Sequence, residues 1–153
     1  MMFRNLGIAI CLLSFGFLAN AQTSATKKAD QEFKNRGYYD AARMYKQAEP
    51  SARKLEQKAR IFYQLGECYR LVADYPQSLE WYEKAITAQY FNTNNDLYLN
   101  YGLSLMEMGR WDDAVVQFNK FTSKGGAKNK VDGRIKACQD AASKKNSKVK
   151  YFV

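Results

Sequence analysis

The twelve residues DYPQSLEWYEKA, Asp74 to Ala85, decide the fold, because the chain writes nearly the same line twice more. GYYDAARMYKQA runs from Gly37 to Ala48, and RWDDAVVQFNKF from Arg110 to Phe121. Aligned on their aromatics, the three give Tyr38, Ala41, Tyr45, Ala48; then Tyr75, Ser78, Tyr82, Ala85; then Trp111, Ala114, Phe118, Phe121. Steps of three, four and three residues place each set on one stripe of a helix. The small residue in second place admits a neighbouring helix, and the ring in third place fills the gap beside it.

Another helix precedes each of the last two lines. ARIFYQLGECYRLVA (Ala59 to Ala73) and NDLYLNYGLSLMEMG (Asn95 to Gly109) superpose on Gly66 and Gly102. The first puts Phe62, Leu65, Tyr69 and Val72 on one face; the second puts Tyr98, Tyr101 or Gly102, Leu105 and Met108 there. A glycine inside a helix costs about 1 kcal/mol relative to alanine, so two at equivalent positions point to a tight helix contact. Gly109 suits a C-terminal cap, and Asp74 an N-cap with Pro76 in the first turn behind it.

This pattern resembles the tetratricopeptide repeat (TPR), a helix-turn-helix unit of about 34 residues. The second copy carries Phe62, Leu65-Gly66, Tyr69, Tyr75, Tyr82 and Ala85; the third carries Tyr98, Gly102, Gly109, Trp111, Ala114 and Phe118. The first is degenerate, with Ala29 in place of the glycine and Ala25 and Phe33 keeping the stripe. The resemblance implies an all-α, right-handed superhelix of three repeats (about 22–50, 55–90 and 95–123, within 22–125) and a C-terminal capping helix over 126–146. Its expected repeat core is Tyr38, Ala41, Tyr45, Gly66, Tyr69, Tyr75, Tyr82, Gly102, Trp111, Ala114 and Phe118. It also implies a peptide-binding groove lined by outward positions of the first helices. In the second repeat these are Arg60, Tyr63, Gln64, Glu67 and Arg70, and in the third Asp96, Leu99, Asn100, Leu103 and Glu107. The first repeat offers Thr26, Lys27, Asp30 and Lys34. The alternative for several of these is a solvated helix face. Some TPR proteins clamp a terminal carboxylate with Lys and Asn, but Thr26 and Asp30 occupy those positions here, so a clamp is not implied. Trp81, beside the core position of Tyr82, is expected at the rim.

The chain ends read differently. Arg4, the apolar run from Leu6 to Leu18 and Ala19-Asn20-Ala21 before Gln22 follow the grammar of a secretory signal peptide over 1–21. The run is shorter than the roughly 20 residues of a membrane span, so no span is expected after cleavage. The formal charge is +9, yet residues 22–119 carry 13 basic and 13 acidic groups, while residues 120–153 carry ten basic and two acidic. Val131, Ile135, Cys138 and Ala142 stripe one side of the last helix, with polar residues elsewhere, as a terminal cap requires. Residues 147–153 read as a basic tail or the extended start of a further domain.

Histidine is absent, as are the usual nucleophile, metal and phosphate-loop motifs, so neither enzyme, metal nor cofactor is expected. Cys68 falls on the second repeat's first helix and Cys138 on the final helix, with a pair intervening, too far apart for a disulfide, and both are expected as buried free thiols. The layout, with NAQ ending the leader, IKACQDA in the last helix and a closing KVKYFV, is similar to the N-terminal part of OmpA-family envelope proteins of the type IX secretion system kind. That similarity implies a periplasmic, non-catalytic scaffold that binds a protein or peptide in a secretion or peptidoglycan-associated assembly, reaching the outer membrane through its partners. No nucleic-acid partner is expected. The rival reading is polyanion or membrane-surface binding through the Lys-rich C-terminal segment.

Overall fold

The computed structural model describes residues 26–149, with side chains through Lys145. The expected leader over 1–21 and the last residues of the tail, 150–153, lie outside the described residues. Among the described residues seven α-helices follow one another: α1 over residues 26–34, α2 Tyr38–Ala48, α3 Leu55–Leu71, α4 Tyr75–Thr87, α5 Asp96–Glu107, α6 Trp111–Ser123 and α7 Asp132–Val149. Short 3-10 turns stand at Glu49–Ser51, Tyr90–Asn92 and Lys128–Lys130. Each helix from α2 onward packs on the next, and the helices form hairpins α1/α2, α3/α4 and α5/α6 with α7 laid against α6. Residues 147–149 continue α7 as helix rather than extending as expected.

Inside each hairpin the turn is built the same way. The residue after the first helix's C-cap is left-handed: Arg36 (φ 64°), Ala73 (φ 60°) and Gly109 (φ 69°). The next amide then bonds back across the last turn, Gly37 N to Glu32 O, Asp74 N to Tyr69 O and Arg110 N to Leu105 O, each at 2.9 Å. This is a Schellman closure, and it satisfies carbonyls that the helix end would otherwise leave bare. Asp74 goes on to cap α4, its side chain accepting from Gln77 N at 3.3 Å.

The hairpins close by ring on glycine. A Cβ on Gly66 would lie 2.5 Å from the Tyr82 ring, and one on Gly102 2.6 Å from the Phe118 ring. Tyr45, Tyr82, Phe118 and Phe121 are fully buried, as are Ala41, Ala85 and Ala114. Between hairpins the small positions meet, with Ser78 and Ser104 hydroxyls 3.0 Å apart in the interior. The buried residues divide into two cores that share α3. Ile61, Leu65 and Cys68 face α1 and α2, while Tyr63 joins the core of α4, α5, α6 and α7. Cys68 and Cys138 are both free and buried, one in each core. Val131, just before α7, and Cys138 on it are buried, and the rest of the described surface of α7 is mostly exposed and polar.

Some expected core positions lie nearer the surface. Tyr38, Tyr75 and Trp111 open the second helices and are half-buried, and Tyr69 is half-buried near the end of α3. Met108 is 44% exposed, because α5 ends one residue earlier and leaves it in the C-cap. Trp81 is half-buried and so partly exposed, packed on the first core with its ring 5.8 Å from that of Phe62.

The left-handed sites carry a test of the turn. A non-glycine residue there costs about 1–2 kcal/mol, partly offset by glycine's extra freedom in the unfolded chain. Ala73→Gly is therefore expected to raise stability by roughly 0.5–1 kcal/mol, and Gly109→Ala to lower it by a similar amount. Urea unfolding of the two variants checks this; a less stable Ala73→Gly protein would contradict it.

Candidate functional site

The face built by the first helices α1, α3 and α5 carries the expected groove residues, but many of them are already engaged with one another. Asp30 on α1 accepts from the Arg60 guanidinium at 2.7 Å and from the Tyr45 hydroxyl. One repeat later Glu67 accepts from Arg70 Nη2 at 2.7 Å and from the Tyr82 hydroxyl. Asp30 and Glu67 are equivalent positions, as are Tyr45 and Tyr82, so the same carboxylate–phenol bond is made twice. Each ties the first helix of a hairpin to its second. Asn100 Nδ2 donates to the Tyr63 hydroxyl at 3.0 Å and links the second hairpin to the third.

Two groove expectations are corrected by this geometry. Tyr63 and Glu67 are buried, at 9% and 7% exposure, not offered to solvent. Tyr63 is covered by Tyr90, whose ring lies 5.1 Å away in the linking 3-10 turn, and Glu67 is drawn inward by Tyr82 and Arg70. The side chains of Gln64, Asp96 and Glu107 make no hydrogen bond or ion pair among the described residues, and Lys27 and Lys34 stand exposed on α1.

The third repeat breaks the pattern. Where Glu67, Arg70 and Tyr82 stand in the second, it has Leu103, Met106 and Phe118. Leu99, Leu103 and Met106 fall on one face of α5 and are half-buried against the larger core, with Asp96 and Glu107 exposed at its two ends. Met106 and Tyr90 are the residues of this face that the groove positions did not include. The equivalence of Met106 with Arg70 was available in the repeat alignment, whereas Tyr90 sits in a linker with no repeat counterpart.

Burial sets the electrostatics. It pushes the phenols of Tyr45 and Tyr82 well above the usual value near 10, and the neighbouring carboxylates Asp30 and Glu67 add to the shift. Burial and the charge of Glu67 raise Tyr63 as well. For Arg60 and Arg70, burial opposes the charge, but the bonds to Asp30 and Glu67 outweigh it and raise both. The Cys68 thiol is pushed up to about 12, chiefly by burial, which leaves it unreactive at neutral pH. No group of three or more His, Cys, Asp or Glu side chains able to hold a metal ion occurs among the described residues. No described helix is long and apolar enough to cross a membrane.

No family model and no curated protein sequence matches the chain. Among solved structures, the TPR domain of Sgt2 from Aspergillus fumigatus is similar, with a TM-score of 0.67 over 83% of this chain and 82% of that one, at 15% identity. A likeness at that identity shows the fold. The chain folds as an all-α helical repeat of the TPR type.

The buried phenols make stability depend on alkaline pH. Below pH 10 they are neutral in both states and their contribution is complete. As pH rises past 10 the unfolded chain ionises while the buried phenols keep their protons, so stability falls by roughly 1.4 kcal/mol per pH unit for each. Between pH 9 and pH 11 the native protein is expected to lose roughly 2–3 kcal/mol more than a Tyr45→Phe/Tyr82→Phe variant. Equal losses in the two urea titrations would contradict this.

Proposed function

We propose that the protein is an interaction scaffold that reads a partner segment on the α5 part of its first-helix face. The observation that carries this is the division of labour among equivalent positions. The second repeat spends its carboxylate, guanidinium and phenol on each other, and the third presents Leu99, Leu103 and Met106 between two unpaired carboxylates. Asp96 and Glu107 stand eleven residues apart on one helix, about 16 Å along its axis. An extended segment of about five residues spans that distance. Its apolar side chains would rest on the strip, and its polar or cationic ends would meet the two acids.

The leader-like N-terminus, Arg4 with the apolar run to Leu18 and Ala19-Asn20-Ala21, supports export to the periplasm. The similarity of layout to OmpA-family envelope proteins supports a place in a secretion or peptidoglycan-associated assembly. A second reading is favoured by the lysines of the far end. Lys120, Lys124, Lys128, Lys130, Lys136 and Lys145 are exposed and form no ion pair among the described residues, which suits an anionic surface.

Envelope crosslinking followed by capture separates the readings. Reversal at Asp96→Lys/Glu107→Lys touches exposed, unpaired groups and is expected to abolish partner capture while melting stays unchanged. Reversal at Lys124→Glu/Lys128→Glu/Lys136→Glu is expected to leave capture intact. The opposite pair of results would favour the cationic end. Arg60 and Arg70 are unsuitable for this test, since reversing them would break the internal networks.

A further inference from the structure

A second concavity lies between α2 and the C-terminal end of α3, lined by none of the groove residues. It measures about 400 Å³ and is bounded by Tyr39, Arg43, Lys46, Gln47 and Tyr69. The four α2 residues form one stripe alongside that helix's buried face of Ala41, Ala42, Tyr45 and Ala48. The Lys46 ammonium is held 5.1 Å from the Tyr69 ring centre and 5.7 Å from that of Trp81. It has no carboxylate within ion-pair distance among the described residues. The nearby acids are committed elsewhere: Asp40 to Arg43 at 2.9 Å and Glu80 to Lys84 at 2.7 Å. Arg43 and Asp40 are both exposed on one helix, and such a pair contributes little and opens readily. The Tyr39 ring is 69% exposed at the mouth.

We propose that this cleft is a second docking site, which takes an acidic side chain and an adjacent aromatic one from a partner segment. The carboxylate would meet Lys46, which makes no ion pair among the described residues, and then Arg43, and the ring would pack between Tyr39 and Tyr69. Because Lys46 is already oriented by two ring faces, little side-chain freedom remains to be lost when an anion arrives. The volume sits near the lower end of the roughly 300–1,000 Å³ usual for small-ligand sites, enough for side chains and too little for a docked helix. Asp40 and Glu80 beside the cleft favour a single carboxylate over a polyanion, which would be repelled by both.

Calorimetric titration of the whole protein tests the proposal with two capped peptides, acetyl-Glu-Phe-amide and acetyl-Gln-Phe-amide. The glutamate peptide is expected to bind roughly tenfold more tightly than its neutral counterpart, the scale of one well-placed charge contact. Lys46→Met, which keeps the stem and removes the charge, is expected to erase that difference, and Tyr39→Ala to weaken both peptides. Asp96→Lys/Glu107→Lys is expected to change neither, so failure here is distinguishable from failure of the α5 reading. Equal binding of the two peptides, an unchanged preference in Lys46→Met, or no saturable heat at millimolar peptide would overturn the proposal. So would tighter binding of a heparin fragment than of the glutamate peptide if Lys46→Met abolished it, which would mark the cleft as a polyanion surface.

Discussion

The ring of each second helix rests where the first helix of the same hairpin has no side chain. Gly66 admits Tyr82 and Gly102 admits Phe118 at separations that a methyl group would close. Glycine in mid-helix costs about 1 kcal/mol, while burying an aromatic side chain returns roughly 4–6 kcal/mol as an upper estimate. The seat also fixes what lies beyond it. With Tyr82 pressed onto α3, its hydroxyl reaches Glu67, and Glu67 in turn holds Arg70. The same ring lies 6.1 Å from Tyr63 and 6.0 Å from Tyr101, so one contact orders the junction with the third hairpin as well.

Helix positions, turns and ring seats were legible in the sequence because they recur. Three registered copies expose the small and aromatic positions, and Gly66 and Gly102 announce their own close contact. What the sequence concealed were side chains whose direction depends on a partner from another helix. Glu67 reads as an outward groove acid by position alone, yet a phenol fifteen residues on turns it inward. Tyr63 reads as open until Tyr90, from a linker outside the repeat, lies over it. Trp81 looks surplus to the core because it lies beside the core position of Tyr82, and its surroundings join its own hairpin to α2 of the preceding one. Phe62, Lys46 and Lys84 surround its ring, with Lys84 4.0 Å from the ring centre, and its buried indole nitrogen finds no acceptor among the described residues.

The repeats are thus similar in backbone and unlike in chemistry. Within each of the first two hairpins a carboxylate–phenol bond ties the helices, and Arg60 and Arg70 complete the two sets, Arg60 from the next hairpin; this consumes charged groups that the TPR resemblance would assign to ligand binding. The third replaces the set with Leu103, Met106 and Phe118, and the face it presents is apolar and open-ended. Such a gradient along one solenoid fits the proposal that part of the array serves as rigid support while another part reads a partner, because each repeat contacts only its neighbours.

The most direct measurement of the ring-on-glycine contact is the sign of the stability change in Gly66→Ala. Relief of glycine's helix penalty alone would stabilise the protein by about 1 kcal/mol. A new methyl group 2.5 Å from the Tyr82 ring is instead expected to destabilise it by roughly 1–3 kcal/mol, and Tyr82→Leu in the same chain to remove much of that loss. A Gly66→Ala protein more stable than the native one in urea would contradict the central role of the contact.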